Sequence, residues 1–154
     1  MELSTLLAPQ AVKVVSDVSS KKRLLQSISE LAEQTVGVPA PRIFESLQER
    51  ESLGPTGVGN GIALPHTRLP GLEEVSGVFI RLERAIDFDA ADRMPVDLVF
   101  ALMAPVDSGV DHLKALALVS RTLRDDELCA KLRANSDPAA LYALMTESEA
   151  TKAA

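Results

Sequence analysis

One cysteine, Cys129, stands in the 154 residues. A single thiol excludes an intramolecular disulfide and any metal site built on several cysteines. Tryptophan is absent, and four phenylalanines and one tyrosine are the whole aromatic content, so the core must be mostly aliphatic. Positive charge is in deficit: 16 Lys and Arg face 22 Asp and Glu, for a formal net charge of −6. That balance argues against a nucleic-acid partner, because backbone phosphates need clustered Lys and Arg. The one basic run, Lys21-Lys22-Arg23, opens a helical pattern and reads as a solvated face. No apolar stretch approaches the roughly 20 residues of a membrane-spanning helix, so no membrane insertion is expected. The opening Met1-Glu2-Leu3-Ser4 has neither a basic region nor an apolar run, so no signal peptide is expected either. A reducing cytoplasm is the expected location.

What is present suits one globular domain with a core of its own, since 46% of the residues are hydrophobic and 25% charged. Val12-Lys13-Val14-Val15 is β-branched and suits a first strand. Ser19 or Ser20 can cap a helix running to about Gln34, with Leu24, Leu25, Ile28, Leu31 and Ala32 on one face and Gly37 just past its end. A second helix is expected from Pro39 or Pro41 to Glu51 or Ser52, its inward face formed by Ile43, Phe44 and Leu47. Residues 54–61 are the most turn-rich stretch and lead through Ile62-Ala63-Leu64 into Pro65-His66. Residues 76–83 alternate as a strand, and residues 96–104 are apolar enough for a strand buried on both faces. Helices follow at about 109–123, after Asp125 or Asp126, and from Asp137-Pro138 to near Met145. This order predicts an α/β fold, with one central sheet flanked by helices on both faces. Residues 1–148 form the expected domain, and residues 149–154 an expected disordered tail.

The chain has only two histidines, His66 and His112, the side chains best suited to chemistry near neutral pH. His66 follows a Gly-rich loop, a short apolar strand and a proline. Glycines let main-chain N–H groups approach an anion, and Pro65 stiffens the entry. These features suit a pre-positioned nucleophile that handles a phosphoryl group; a loop histidine bonded to a carbonyl fits the same residues. Gly57-Val58-Gly59-Asn60-Gly61 is neither a dinucleotide fingerprint nor a P-loop. His112 begins a helical face continued by Leu116, Val119 and Leu123 and points to the core or its rim. Arg50, at a helix end before the Gly-rich loop, can pair with phosphate oxygens or simply complement the helix terminus. Arg68 is a second candidate anion contact, or plain surface. A metal-dependent hydrolase using both histidines with carboxylates such as Asp111, and a sensing module without covalent chemistry, are the more distant alternatives.

The run RESLGPTGVGNGIALPHTRLPGL, residues 50–72, resembles the phosphohistidine signature of the type-2 (mannitol/fructose/nitrogen) enzyme IIA family of the bacterial phosphotransferase system. The segment FDAADRMPVDLVFALMAPVDSGVDHLKALALVSRTL continues the likeness through His112, and SKKRLLQSISELAEQ is similar to the family's first helix. The likeness spans almost the whole chain, and Asn60-Gly61 with the FDAADRMPVDLVFAL run looks most like the nitrogen-regulatory branch. The resemblance implies the mannitol-type fold with a mixed sheet. It implies a phosphocarrier with His66 phosphorylated, His112 as the second active-site histidine and Arg50 in the same pocket. The donor would be a phosphorylated HPr-like carrier, and the downstream partner regulatory targets or, in a sugar-specific (fructose/mannitol) component, a separate IIB domain. No metal or organic cofactor is implied.

Overall fold

The computed structural model describes residues 1–153, with side chains described through Glu147. A short helix α1 (Leu3–Leu6) and a 3-10 turn (Pro9–Ala11) precede strand β1 (Val12–Val15). Helix α2 (Lys21–Val36) starts where Ser20 Oγ accepts the Arg23 N–H and stops at Gly37, which takes the left-handed conformation. Helix α3 (Ala40–Ser52) starts after Pro39. Three short strands follow: β2 (Gly57–Gly59), β3 (Ile62–Ala63) and β4 (His66–Leu69). Two long strands, β5 (Ser76–Ile86) and β6 (Val96–Pro105), form the centre. Helices α4 (Val110–Thr122), α5 (Asp126–Arg133) and α6 (Pro138–Ala153) complete the chain. Asp125 caps α5 by accepting from the N–H groups of Glu127 and Leu128.

The sheet runs β1-β5-β6-β3-β2, with β4 also paired to β6. It is mixed: β1 lies parallel to β5, β5 antiparallel to β6, and β3 and β4 parallel to β6. Nine of the ten residues of β6 are buried, so helices cover both faces. The α2/α3 pair packs on β5 and β4, while α1, α4 and α6 meet β1, β5 and β6. The core is aliphatic as expected, with Phe79, Phe88 and Phe100 the only fully buried aromatics among the described residues. The sheet's outer strands, β1, β2 and β4, have four, three and four residues.

Three elements differ from the sequence-based expectation. The turn-rich loop contains strand β2, which pairs antiparallel with β3. His66 does not merely follow a strand; it opens one, with His66 opposite Leu102 in β4 and β6. Helix α6 passes Met145 and continues to Ala153, for no glycine or proline interrupts residues 139–153. The tail expected at 149–154 falls where side-chain description has ended, and Ala154 lies outside the described residues.

Candidate active site

Strands β3 and β4 lie in succession along β6, and the break between them is Leu64-Pro65. Proline has no N–H to contribute to a ladder. At the break the Leu64 N–H crosses to the Thr56 carbonyl at 2.9 Å, and the Pro65 carbonyl accepts from the Leu102 N–H at 2.9 Å. The Leu64 carbonyl turns to the next side chain, and His66 Nδ1 lies 2.9 Å from it. A carbonyl oxygen can only accept, so Nδ1 carries the proton and Nε2 keeps its lone pair. The ring is half-buried.

His112, in the first turn of α4, stands behind it. The two ring centroids are 5.5 Å apart, with the rings inclined at 69°. His112 is only 6% exposed, and among the described residues its buried Nε2 has no hydrogen-bond partner. Burial, and then the charges of His66 and Arg68, hold its pKa below the ordinary histidine value, which keeps the imidazole neutral near pH 7.

Arg50, in the last turn of α3, donates from Nη1 to the Gly54 carbonyl at 3.0 Å. Its side chain lines an open depression of about 390 Å³ together with Pro55, Thr56, Val58, Leu64 and His66, and with Leu116, Ala117 and Ser120 of α4 opposite. The three residues singled out in the sequence are therefore brought together: His66 and His112 by ring contact, His66 and Arg50 on one lining. Arg68 is exposed and donates from Nη1 to the Val106 carbonyl at 3.1 Å. Asp111 is exposed on the first turn of α4. Among the described residues no group of three or more His, Cys, Asp or Glu is placed to hold a metal ion.

Gly57, Gly59 and Gly61 belong to the β2–β3 hairpin and do not line the depression, whose lining takes Pro55, Thr56 and Val58 from this loop. A Cβ on Gly57 would lie 2.8 Å from Ala90, and one on Gly61, at φ +80°, 2.5 Å from Arg133 Nη2 and 2.9 Å from Asp97 Oδ1. The Asn60 N–H between them is taken by Asp92 Oδ2 at 2.9 Å. That bond is the first cause holding the Asp92 carboxyl below its usual pKa.

Sequence reasoning passed over Glu51, Thr56 and Lys21. Glu51 is buried at the end of α3, 2.8 Å from Lys21 Nζ, and accepts from both the N–H and the hydroxyl of Thr56. It also missed the apolar surroundings. Leu53, Val58, Val106, Val110 and Leu113 are all more than half exposed. They sit on the loop after Arg50, beside Arg68 and around His112.

Comparison with known proteins supplies context for this geometry. The family model described as "Phosphoenolpyruvate-dependent sugar phosphotransferase system, EIIA 2" matches residues 5–148. A nitrogen regulatory protein of Bradyrhizobium diazoefficiens is 46% identical over 153 residues, covering 99% of this chain and 100% of that one. The crystal structure of nitrogen regulatory protein IIA-Ntr from Neisseria meningitidis superposes with a TM-score of 0.86 at 32% identity, covering 94% of this chain and 99% of that one. The IIA mannitol structure from Escherichia coli shares the fold, with a TM-score of 0.75 at 17% identity over 90% of this chain and 97% of that one.

Proposed function

The chain belongs to the EIIA 2 family of the phosphoenolpyruvate-dependent sugar phosphotransferase system, and from that premise we propose that it accepts a phosphoryl group on Nε2 of His66 from a phosphorylated HPr-like carrier. A phosphotransfer role is carried by the family itself. The donor, the acceptor atom and a regulatory, nitrogen-type use are this reading's own, the last supported by full-length likeness to nitrogen regulatory proteins. The single observation that carries the acceptor assignment is the bond between His66 Nδ1 and the Leu64 carbonyl, which puts the nucleophilic lone pair on Nε2.

The step is an in-line displacement at phosphorus. The N–P bond of the donor's phosphohistidine breaks as the bond to His66 Nε2 forms, and the donor ring leaves with the electron pair. Charge in the transition state spreads over three equatorial oxygens, so catalysis is alignment and electrostatic stabilisation. Arg50 supplies planar N–H donors at the edge of the depression. His112 offers a buried nitrogen without a partner among the described residues, for which phosphoryl oxygens are a fitting one. With phosphorus on Nε2 and a proton held on Nδ1, the product ring is cationic and remains a good leaving group, as a carrier requires. The exposed apolar side chains around the site suit a protein as donor and acceptor. No helix among the described residues is long and apolar enough to cross a membrane, and a cytoplasmic carrier protein is the partner this reading requires.

The test is a reconstituted relay driven by phosphoenolpyruvate, read by intact mass. The wild-type chain should gain one acid-labile phosphoryl group and His66→Ala none. A phosphoryl group remaining on His66→Ala would move the acceptor elsewhere. Onward transfer to a IIB domain, absent with regulatory targets, would assign the chain to sugar transport instead.

A further inference from the structure

We propose that Glu51 is a positioning residue for the acceptor ring: through Thr56 and Leu64 it holds His66 in the Nδ1–H form that leaves Nε2 open to phosphorus. The proposal rests on the reading of His66 as phosphoryl acceptor.

A carboxylate is rarely buried without partners, because removing its hydration is costly. Glu51 is 8% exposed and has its partners in full. Lys21 Nζ from α2 stands 2.8 Å from Oε2, and that ammonium is itself held 4.5 Å over the Phe88 ring. The Thr56 N–H donates to Oε2 at 3.2 Å and the Thr56 hydroxyl donates to Oε1. Both polar groups of Thr56 outside its carbonyl are thus committed to one carboxylate, although Thr56 lies in a loop and on the lining of the depression.

From Thr56 the connection runs to the ring without a gap. The Thr56 carbonyl accepts the Leu64 N–H at 2.9 Å, and the Leu64 carbonyl accepts from His66 Nδ1 at 2.9 Å. Leu64 precedes a proline, which has no N–H to anchor the peptide that carries the Leu64 carbonyl; that peptide is held on its far side by the Pro65 carbonyl on the Leu102 N–H and on its near side by the Leu64 N–H on Thr56. A carboxylate two loops away thereby determines which ring nitrogen bears the proton, as outer partners do for metal-binding histidines. The opposite tautomer would aim a lone pair at the Leu64 oxygen and place the proton on the attacking nitrogen.

Two near-isosteric variants test this. Glu51→Gln removes the charge and one acceptor oxygen, and Thr56→Val removes the hydroxyl donor while keeping the loop's shape. Ring-nitrogen NMR on the unphosphorylated chain reads the tautomer of His66 directly, with His66→Ala identifying its signals against those of His112. The wild type should show Nδ1–H. Both variants should show a growing Nε2–H share, and transfer from the phosphorylated carrier should slow by about 10- to 100-fold at saturation with half-saturation unchanged, since a misplaced ring loses alignment rather than docking. Melting temperature is read alongside. A variant that loses stability or rate while the His66 ring signals stay as in wild type overturns the proposal and assigns Glu51 to the fold alone. A wild-type ring in the Nε2–H form overturns it as well. Should wild-type His66 take no phosphate from the carrier, the phosphocarrier reading fails, and the ring spectra still decide what Glu51 does.

Discussion

Arg50 and His112 meet His66 in different ways, the one on the lining of its depression and the other buried against its ring. Arg50 reaches the lining while spending one N–H on the Gly54 carbonyl, so its guanidinium is held in place beside the depression. Replacing it with Ala removes planar donors without emptying the core, and transfer should slow by about 10- to 100-fold with little change in melting temperature. An unchanged rate in a stopped relay assay removes Arg50 from the mechanism. His112 is buried and its pKa is held low by burial first, then by His66 and Arg68. The sign follows: the unfolded chain binds a proton at this residue near pH 6.5, about where free histidine titrates, while the folded chain resists it. The stability due to His112 is therefore complete above about pH 6.5 and is lost as pH falls towards the depressed folded value. Urea midpoints between pH 7.5 and 5 should fall more for the unphosphorylated wild type than for His112→Gln. Equal falls would assign the slope to other groups.

At the level of elements, Gly61 in the β2–β3 hairpin and Gly71 in the turn after β4 offer a matched pair of substitutions. Gly61→Ala meets both a left-handed backbone at φ +80° and the Arg133 guanidinium, which pairs with Asp97. Gly71→Ala meets strain alone, at φ +92° with nothing within 4 Å. Left-handed strain costs about 1–2 kcal/mol per residue, so Gly71→Ala should lose roughly that much and Gly61→Ala about 1 kcal/mol more. Denaturant curves of the two variants decide it; equal losses would deny the contact any share. The elements that were legible are those with a local signal. Ser20 and Gly37 bracket α2, Asp125 opens α5, and the apolar run of β6 is long enough to declare burial on both faces. Strands β2 and β4 have no such signal, because Gly57-Val58-Gly59 and His66-Thr67-Arg68-Leu69 become strands only through pairing with residues elsewhere in the chain. The candidate site divides the same way. Its histidines announced themselves by scarcity; Arg50 was open to two readings at its helix end, and the resemblance chose between them. Glu51 did not announce itself, for a carboxylate on the last turn of a helix reads as solvent-facing until Lys21 and Thr56 close over it.

For the whole molecule, the aliphatic core turns on few large rings. Phe100 is fully buried and meets Phe79 with centroids 6.1 Å apart. Phe100→Ala should cost about 3–5 kcal/mol, a large part of the roughly 5–15 kcal/mol that holds a domain folded, and lower the melting temperature by on the order of 10 °C. Calorimetry reads the loss directly, and a shift of only a degree or two would mean that the interior closes over the vacancy. The short outer strands have a different consequence. The outer strands β1, β2 and β4 are each only three or four residues long, and on β2 the Gly57 carbonyl is already engaged by the Ala91 N–H. A second chain arriving edge-on therefore finds too few open amides to continue the ladder, so crowding these molecules together gives no template for fibril growth.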